Sequence, residues 1–265
     1  MESGRVVGVR PRYPQCGGRA TRAVDGRGGR GRAKRDGRAV FFRPRCWATE
    51  HHEFIHKPVP NTGPGLGPFG VPMTVLASGS AIRRSLLAGV GLDFTVERPG
   101  VDEDRLKQDF AGTTEALATM LAAAKAVEVS GRFAGELVIG SDSIAECRGR
   151  RFDKPRDRAA AAEHLRFFSG KALCLVSAAV LARGGVAEWE HVERARLWVR
   201  RMSDEFIEEY LAAEWPEVAG CVGVFRMEGR GATLFERVEG SHFTVLGLPL
   251  LPLLGALRER GKMTS

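Results

Sequence analysis

Cysteines are few in this sequence, and long apolar runs are absent. The five cysteines are odd in number and form no CxxC pair, which argues against a disulfide framework and favours a reducing compartment. The longest late apolar stretch, "VLGLPLLPLLGAL", contains Pro249 and Pro252 and is shorter than the roughly 20 residues of a membrane helix. The first 40 residues contain no apolar core of a secretory signal. We therefore predict a cytoplasmic protein that does not enter a membrane.

Acidic residues are also scarce in the first 72 residues, which carry 14 Lys and Arg against 5 Asp and Glu, a net charge of +9. The remaining 193 residues carry 26 Lys and Arg against 27 Asp and Glu, a net charge of −1. The first segment also holds 13 of the 33 glycines and 8 of the 13 prolines, without helical or strand periodicity. Such a segment buries too little apolar surface to offset its chain entropy. We predict a disordered extension over residues 1–72 and a folded domain over 73–265.

Two interpretations of this extension remain. Its Arg/Gly runs, such as "GRGGRGRAKRDGR", are typical of arms that bind nucleic acid through phosphate charge. Alternatively, residues 1–72 precede the true start, and Met73 is the first residue. We favour the second interpretation, because Gly, Ala, Arg and Pro have GC-rich codons and the pattern changes sharply at "VPMTVLAS". We therefore do not expect a functional nucleic-acid interaction of the extension.

Residues 73–265 alternate between strand and helix patterns, and this order predicts an α/β domain with a mixed sheet. Strands are predicted at "TVLAS", "ELVIGSD", "ALCLVSAAVLAR", "EWEHVERARLWVRRM", "GCVGVF" and "GATLFERVEG", with a turn-rich hairpin after the second. Helices are predicted from about Ala81 to Ala88, in "TTEALATMLAAAKAVEVSG" with Gly131 beyond its end, in "RDRAAAAEHLRFFSG", in "DEFIEEYLAAE" after Ser203, and after Pro249.

The segment "LASGSAIRRSLL" combines an apolar strand, small residues and two arginines, and residues 73–92 contain no acidic side chain. A strand that turns into a helix presents free backbone N–H groups and the positive end of a dipole, which together bind anions. Hydroxyl groups and guanidinium forks add donors for phosphate oxygens. These donors belong to Ser78, Ser80, Arg83 and Arg84. The alternative is a solvated basic helix start, and the common nucleotide loop GxxxxGK[ST] is absent.

Carboxylates and a lysine form a second group of candidates. "LVIGSD" leads an apolar strand into Asp142, and α/β folds keep chemistry at the carboxyl ends of strands. "FDKP" places Lys154 in a turn, and "VDED" supplies Glu103. Carboxylates beside phosphate binders indicate Mg²⁺, which takes one or two carboxylates together with water and phosphate. Each feature alone is ordinary, because an Asp after a strand is more often a cap and Lys-Pro is more often a turn.

Eight separated segments together resemble the Maf family of nucleoside triphosphate pyrophosphatases: "LASGSAIRRSLL", "VDED", "KA" at 125–126, "LVIGSD", "FDKP", "SGK", "MEGRGATLFERVEG" and "TVLGLPLL". The resemblance covers residues 73–260 and none of 1–72, and it is strongest to the proteobacterial branch. It implies an elongated mixed sheet with flanking helices, similar to that of the inosine triphosphate pyrophosphatases. It also implies hydrolysis of a nucleoside triphosphate with a divalent cation, Mg²⁺ or Mn²⁺. The family has been linked to arrest of septum formation.

The resemblance also implies roles for individual residues. Ser78, Ser80, Arg83 and Arg84 would hold the phosphate chain. Glu103 and Asp142 would bind the metal ion, and Asp142 would also accept a proton from the attacking water. Lys125 and Lys154 would stabilise the negative charge that develops on the phosphates.

The base preference depends on Glu228, where one branch of the family has Gln and favours pyrimidine triphosphates, and another has Glu and resembles enzymes of 7-methyl-GTP. Ser143, Ser241 and His242 depart from the pattern of many relatives. We therefore expect clearance of modified nucleotides, with 7-methyl-GTP as the candidate. The alternatives are a pyrophosphatase for dTTP and UTP, or a nucleotide-sensing regulator of division without turnover. A homodimer is a further expectation.

Overall fold

The computed structural model describes residues 74–133 and 135–264, so the predictions for residues 1–72 lie outside the described part of the chain. The helices are α1 (Ala81–Gly89), α2 (Glu103–Gln108), α3 (Thr114–Arg132), α4 (Arg158–Phe168), α5 (Asp204–Glu214), α6 (His242–Val245) and α7 (Leu250–Glu259). The strands are β1 (Thr74–Ala77), β2 (Phe94–Glu97), β3 (Leu137–Cys147), β4 (Arg150–Phe152), β5 (Ala172–Arg183), β6 (Val186–Val199) and β7 (Phe235–Glu239). Within these residues, no helix combines the length and the apolar character that crossing a membrane requires.

The strands of the described residues form one mixed sheet with the order β2-β1-β3-β5-β6-β7, which confirms the predicted α/β class. β1 lies between β2 and β3 and is parallel to both, whereas β5, β6 and β7 follow in antiparallel pairs. β4 forms a hairpin with β3 through Arg148 and Gly149, whose φ angles of 54° and 76° suit a two-residue type I′ turn. The parallel and antiparallel parts of the sheet therefore meet at β3.

β3 is longer than the sequence predicts. The prediction that this strand ends at Asp142 is wrong, because antiparallel pairing with β5 continues to Cys147. The opposite edge of β3 pairs with β1 at residues 137–140 and with β4 at residues 145–147. Between them, residues 141–144 have no strand partner on this edge within the described chain. Asp142 therefore lies beside a gap in the sheet, and we call this position the β3 gap.

α3 packs very closely on the sheet beside this gap. The side chain of Thr113 accepts a hydrogen bond from the backbone and caps the helix. At Gly140, a Cβ atom would lie 2.2 Å from the carbonyl oxygen of Ala122, so a larger residue would force helix and strand apart. This approach brings Lys125 of α3 against Asp142 of β3, at 2.6 Å.

The opposite face of the sheet is divided between two groups of helices. α1 and α7 cover one end through side chains such as Leu87 and Leu253. α4 and α5 cover the other end through side chains such as Phe168 and Leu211. Between the two apolar clusters, β3 and β5 present hydroxyl groups instead. We call this line the polar seam, and it consists of Ser141, Ser143 and Ser177.

Most predicted elements are confirmed, and the exceptions have physical causes. The predicted strand "GCVGVF" is wrong, because Val224 has a φ of 58° and the segment is built of turns. Its apolar residues are buried against α5, where the Tyr210 hydroxyl donates to the Val224 carbonyl oxygen at 3.1 Å. In "GATLFERVEG" only Phe235–Glu239 is a strand, and a 3₁₀-helix, Arg230–Leu234, precedes it. The prediction that α3 ends before Gly131 is wrong, because the helix includes Gly131 and ends at Arg132.

Candidate active site

Asp142 and Glu103 share one buried ammonium group. Lys125 Nζ lies 2.6 Å from Asp142 Oδ1 and 2.8 Å from Glu103 Oε1. The side chains of Lys125 and Asp142 are 8% and 10% exposed, and that of Glu103 is 37% exposed. Because both oxygens contact the same nitrogen, the two carboxylates converge on one point. Three residues that the sequence names in separate motifs therefore form one cluster, the Asp142 cluster.

The charges around Glu103 favour its ionised form. Glu103 is the first residue of α2, whose N-cap is Asp102. Lys107, one turn further along, places its Nζ 3.8 Å from Glu103 Oε2. Burial raises the pKa of Glu103, but the hydrogen bond and charge of Lys125 outweigh it and, with the charges of Lys107 and Lys154, hold the pKa below its ordinary value. The charge of Lys154 thus acts on Glu103 from outside the hydrogen-bonded cluster.

Arg83 is buried, and protein acceptors engage most of its donors. Its Nε donates to the carbonyl oxygen of Gly247 at 2.8 Å. One terminal nitrogen donates to the Ser141 carbonyl oxygen at 2.9 Å and to Ser78 Oγ at 3.2 Å, and the other donates to Ser143 Oγ at 2.9 Å. These bonds use four of the five guanidinium N–H groups. Because Ser141 is one of the residues of the β3 gap, Arg83 holds a backbone carbonyl of the gap.

Arg83 lies in a segment of the sequence, residues 73–92, that contains no acidic side chain. Among the described residues, its guanidinium also has no carboxylate within ion-pair distance. Burial lowers the pKa of Arg83, and the charges of Asp142 and Glu103 raise it. A guanidinium nevertheless keeps its proton in proteins. Arg83 therefore provides a fixed positive charge behind the Asp142 cluster.

The two serines of this segment organise the start of α1, and Arg84 does not take part. Ser80 is the N-cap, and its Oγ accepts from the backbone N–H of Arg83 at 3.5 Å. Ser78 Oγ accepts from the backbone N–H of Ser80 at 3.3 Å. Arg84 is exposed, and its guanidinium has no carboxylate within 4 Å in the described part of the chain. Arg84 therefore keeps its side-chain donors available to a ligand.

Glu228 lies in an anchored loop and is exposed. The loop is held by buried Glu214, which accepts from Nε and a terminal nitrogen of Arg226 at 3.1 and 3.0 Å. Burial raises the pKa of Cys221, Glu228 raises it further, and Arg226 and Lys154 oppose this effect. The charges of Glu228 and Lys154 thus act in opposite directions on the same thiol. Glu228 does not contact the Asp142 cluster directly in the described residues.

Comparison with known proteins now decides the family. The family model described as Maf-like protein matches residues 73–260. This chain belongs to the Maf family. It is similar to the 7-methyl-GTP pyrophosphatase of Rhizobium meliloti, with 46% identity over 197 residues, which is 73% of this chain and 99% of the relative. It is also similar to the nucleoside triphosphate pyrophosphatase of Granulibacter bethesdensis, with 44% identity over 193 residues, 72% of this chain and 98% of the relative.

The Maf site includes residues that the sequence does not single out. Ser177 Oγ lies 2.9 Å from Ser143 Oγ and donates to the Thr244 carbonyl oxygen at 2.9 Å. Ser143 Oγ also donates to the Gly247 carbonyl oxygen at 3.1 Å. Gly247 has a φ of +96°, and a Cβ there would lie 3.1 Å from Ser143 Oγ. The polar seam thus ties the Maf segment "TVLGLP" to β3 and, through Arg83, to α1.

Ser143, one of the three residues expected to depart from the Maf pattern, lies on the seam side. Successive side chains of a strand point to opposite faces, so Ser143 faces Arg83 and Ser177 whereas Asp142 faces α3. Ser241 precedes α6, and its side chain makes no capping hydrogen bond. Ser143 therefore affects the site through Arg83.

The Asp142 cluster fits a divalent cation of the Mg²⁺ type. Such a cation needs only one or two carboxylates and completes its shell with water and phosphate oxygens. Glu103 and Asp142 supply that number and converge on one point. The residues that the structure describes contain no group of three or more His, Cys, Asp or Glu arranged for a metal. The two carboxylates would therefore hold a cation together with the substrate.

Proposed function

We propose that this Maf protein hydrolyses a nucleoside triphosphate to the monophosphate and pyrophosphate. The observation that carries the proposal is the convergence of Asp142 and Glu103 on Lys125, at the β3 gap beside Arg83. Relatives of 44–46% identity that bear the names of such enzymes match over nearly their whole length, which supports it. A cytoplasmic location and a homodimer stay predictions.

The start of α1 and the lysines of the site bind the triphosphate in this proposal. The free N–H groups at the start of the helix attract phosphate oxygens. Arg84 adds an exposed guanidinium with available donors, and Lys154 adds an ammonium group near Glu103. Ser78 and Ser80 shape the turn that presents these groups. Arg83 acts mainly as a positioning residue, because most of its donors already hold the protein.

Asp142 accepts the proton of the attacking water in this proposal. The water oxygen forms a bond to phosphorus, the bridging bond between the α- and β-phosphoryl groups breaks, and pyrophosphate leaves. The charge that develops on the phosphate oxygens faces Lys125 and Lys154, and a positive charge placed there stabilises the transition state. Mg²⁺ or Mn²⁺ held by Glu103 and Asp142 would supply further charge neutralisation. Asp142 is nearly buried, so its position is fixed before substrate binds.

Glu228 supports a guanine-type base, with 7-methyl-GTP as the candidate substrate. A carboxylate only accepts hydrogen bonds, so it can receive the N1–H and 2-amino hydrogens of guanine but cannot donate to a uracil or thymine carbonyl. The positive charge of 7-methylguanine strengthens that contact. The ion pair of Arg226 with buried Glu214 holds the loop that presents Glu228. The alternative substrates, dTTP and UTP, need a donor at this position.

The test is release of pyrophosphate from 7-methyl-GTP, GTP, UTP and dTTP by the full chain. We expect release with Mg²⁺ or Mn²⁺, loss of release with a chelator, and the fastest release from 7-methyl-GTP. Binding of a triphosphate without any release would contradict the proposal and favour the nucleotide-sensing regulator. Fastest release from dTTP would reject the base assignment and keep the reaction.

A further inference from the structure

The face of the sheet that α3 covers is left open at its far end. α3 covers β3 and β5 around Ile144 and Val176. Beyond it, Glu146, Cys174 and Arg196 lie in register on three neighbouring strands. A groove of about 850 Å³ lies over these strands. We call it the basic groove, because its lining includes six cations against the two carboxylates of Glu146 and Glu236, and the six are Arg148, Lys171, Arg194, Arg196, Arg200 and Arg201.

Most of these cations are not neutralised by the protein. Arg194 pairs with Glu115 and lies 3.9 Å from Glu146. The other five have no carboxylate within 4 Å in the residues that the structure describes. Arg200 Nε donates to the carbonyl oxygen of Thr233 at 2.8 Å, which is a neutral acceptor. The basic groove therefore concentrates positive charge that an anionic ligand would compensate.

The charge pattern disfavours two occupants from the protein itself. A second copy bound through this surface about a two-fold axis would place arginines against arginines, which repel. Residues 1–72 carry a net charge of +9, from 14 basic and 5 acidic side chains, and would be repelled as well. The ligand must therefore come from outside the chain and carry negative charge.

We propose that the basic groove binds the phosphodiester backbone of single-stranded nucleic acid. Arg194 and Arg196 lie two residues apart on β6, so their positive charges recur at about 7 Å along the strand. This spacing suits a ligand with repeated charges. Residues of four neighbouring strands, β3, β5, β6 and β7, line the groove, so its floor is roughly 15 Å wide, which accommodates one strand better than a duplex. Guanidinium forks match phosphate oxygens.

Binding through this groove is expected to be independent of base sequence. The guanidinium of Arg237 lies 3.7 Å from the ring centroid of Trp198, and that of Arg196 lies 5.9 Å from it. The indole ring therefore already packs against a cation, which disfavours stacking of a base on it. The contacts that remain are those to phosphates, which carry no sequence information directly.

The experiment compares two triple variants of the full chain that change the net charge equally. The groove variant carries Lys171→Ala, Arg196→Ala and Arg201→Ala. The control variant carries Arg132→Ala, Arg183→Ala and Arg258→Ala, at positions that do not line the groove. The probe is a fluorescent, mixed-sequence DNA strand with a 5′-hydroxyl, so that no terminal phosphate enters the active site. Fluorescence anisotropy gives the affinity at a series of salt concentrations.

We expect the groove variant to bind the strand at least ten times more weakly and the control variant to bind like wild type. The slope of log K against log salt should fall by about 2 in the groove variant, because each lost phosphate contact removes about 0.7. Pyrophosphate release should be unchanged in both variants. Equal loss of affinity in both variants would overturn the proposal. It would also be overturned if poly-glutamate competed with the labelled strand as effectively as unlabelled DNA does.

Discussion

Two buried cations lie on opposite sides of β3, and the protein surrounds them differently. Arg83, on the seam side, is held by backbone carbonyls and hydroxyls, which are neutral acceptors. Lys125, on the α3 side, is held by two carboxylates. Arg83 therefore has no carboxylate within ion-pair distance among the described residues, whereas the Asp142 cluster places two carboxylates around one ammonium group. This difference indicates that Arg83 favours a polyanion in the β3 gap and that the cluster favours an added cation.

The largest expected effect is on the carboxylate side. Asp142→Asn removes the proton acceptor and a metal ligand but keeps the shape of the side chain. We expect turnover to fall by roughly 10² to 10⁴, the range for a positioned base. Steady-state pyrophosphate release measures the loss, and circular dichroism checks the fold. Near-normal turnover would remove Asp142 from the mechanism.

Arg83→Ala should affect stability as well as activity. The substitution removes the Arg83 donors from the Ser141 and Gly247 carbonyls and from the hydroxyls of Ser78 and Ser143, so we expect the free energy of unfolding to fall by roughly 3 kcal/mol. Urea denaturation measures this loss. Arg83→Lys should recover only part of it, because an ammonium group lacks the planar fork. A fully stable Arg83→Ala variant would show that the β3 gap does not need Arg83.

Arg84→Ala is the matched comparison, because Arg84 is adjacent in sequence but exposed. We expect triphosphate binding to weaken by about 1.5 to 3 kcal/mol, the value of a hydrogen bond to a charged group. The loss should be alike for every base, and the free energy of unfolding should change by less than about 0.5 kcal/mol. Kd values for several triphosphates and urea denaturation give both quantities. Unchanged affinity would mean that the start of α1 is only a solvated basic surface.

Glu228→Gln should have the smallest effect, and only on base selection. A bidentate base contact is worth about 1 to 3 kcal/mol of discrimination. The ratio of kcat/KM for 7-methyl-GTP to that for UTP should therefore fall by about tenfold. Turnover of the better substrate should stay within the range of the wild type. An unchanged ratio would show that the base is recognised elsewhere.

The sequence predicts the mixed sheet, most helices and all the charged members of the Asp142 cluster. These features depend on local signals, such as the Thr113 cap, the periodicity of α3 and the motif "LVIGSD". The close contact at Gly140 also has a sequence signal, because a glycine within an apolar strand often marks close packing. Lys125 and Asp142 are therefore recognisable as candidates, although their distance is not.

The surroundings of Arg83 could not be predicted in the same way. Its acceptors Ser141, Ser143 and Gly247 are between 58 and 164 residues away in sequence, and two of its bonds go to backbone carbonyls that any residue supplies. The turns of "GCVGVF" could not be predicted either, because a loop that is buried in the core contains apolar residues in the same way as a buried strand. Long-range polar contacts and loop burial leave no local pattern.

The most direct test of the account is the identity of the products. Anion-exchange chromatography of a reaction with 7-methyl-GTP and Mg²⁺ should show monophosphate and pyrophosphate in equal amounts. Neither product should form at a comparable rate with Asp142→Asn. Orthophosphate and a nucleoside diphosphate as products, or the same products at an undiminished rate from Asp142→Asn, would contradict the assignment of the Asp142 cluster as a nucleoside triphosphate pyrophosphatase site.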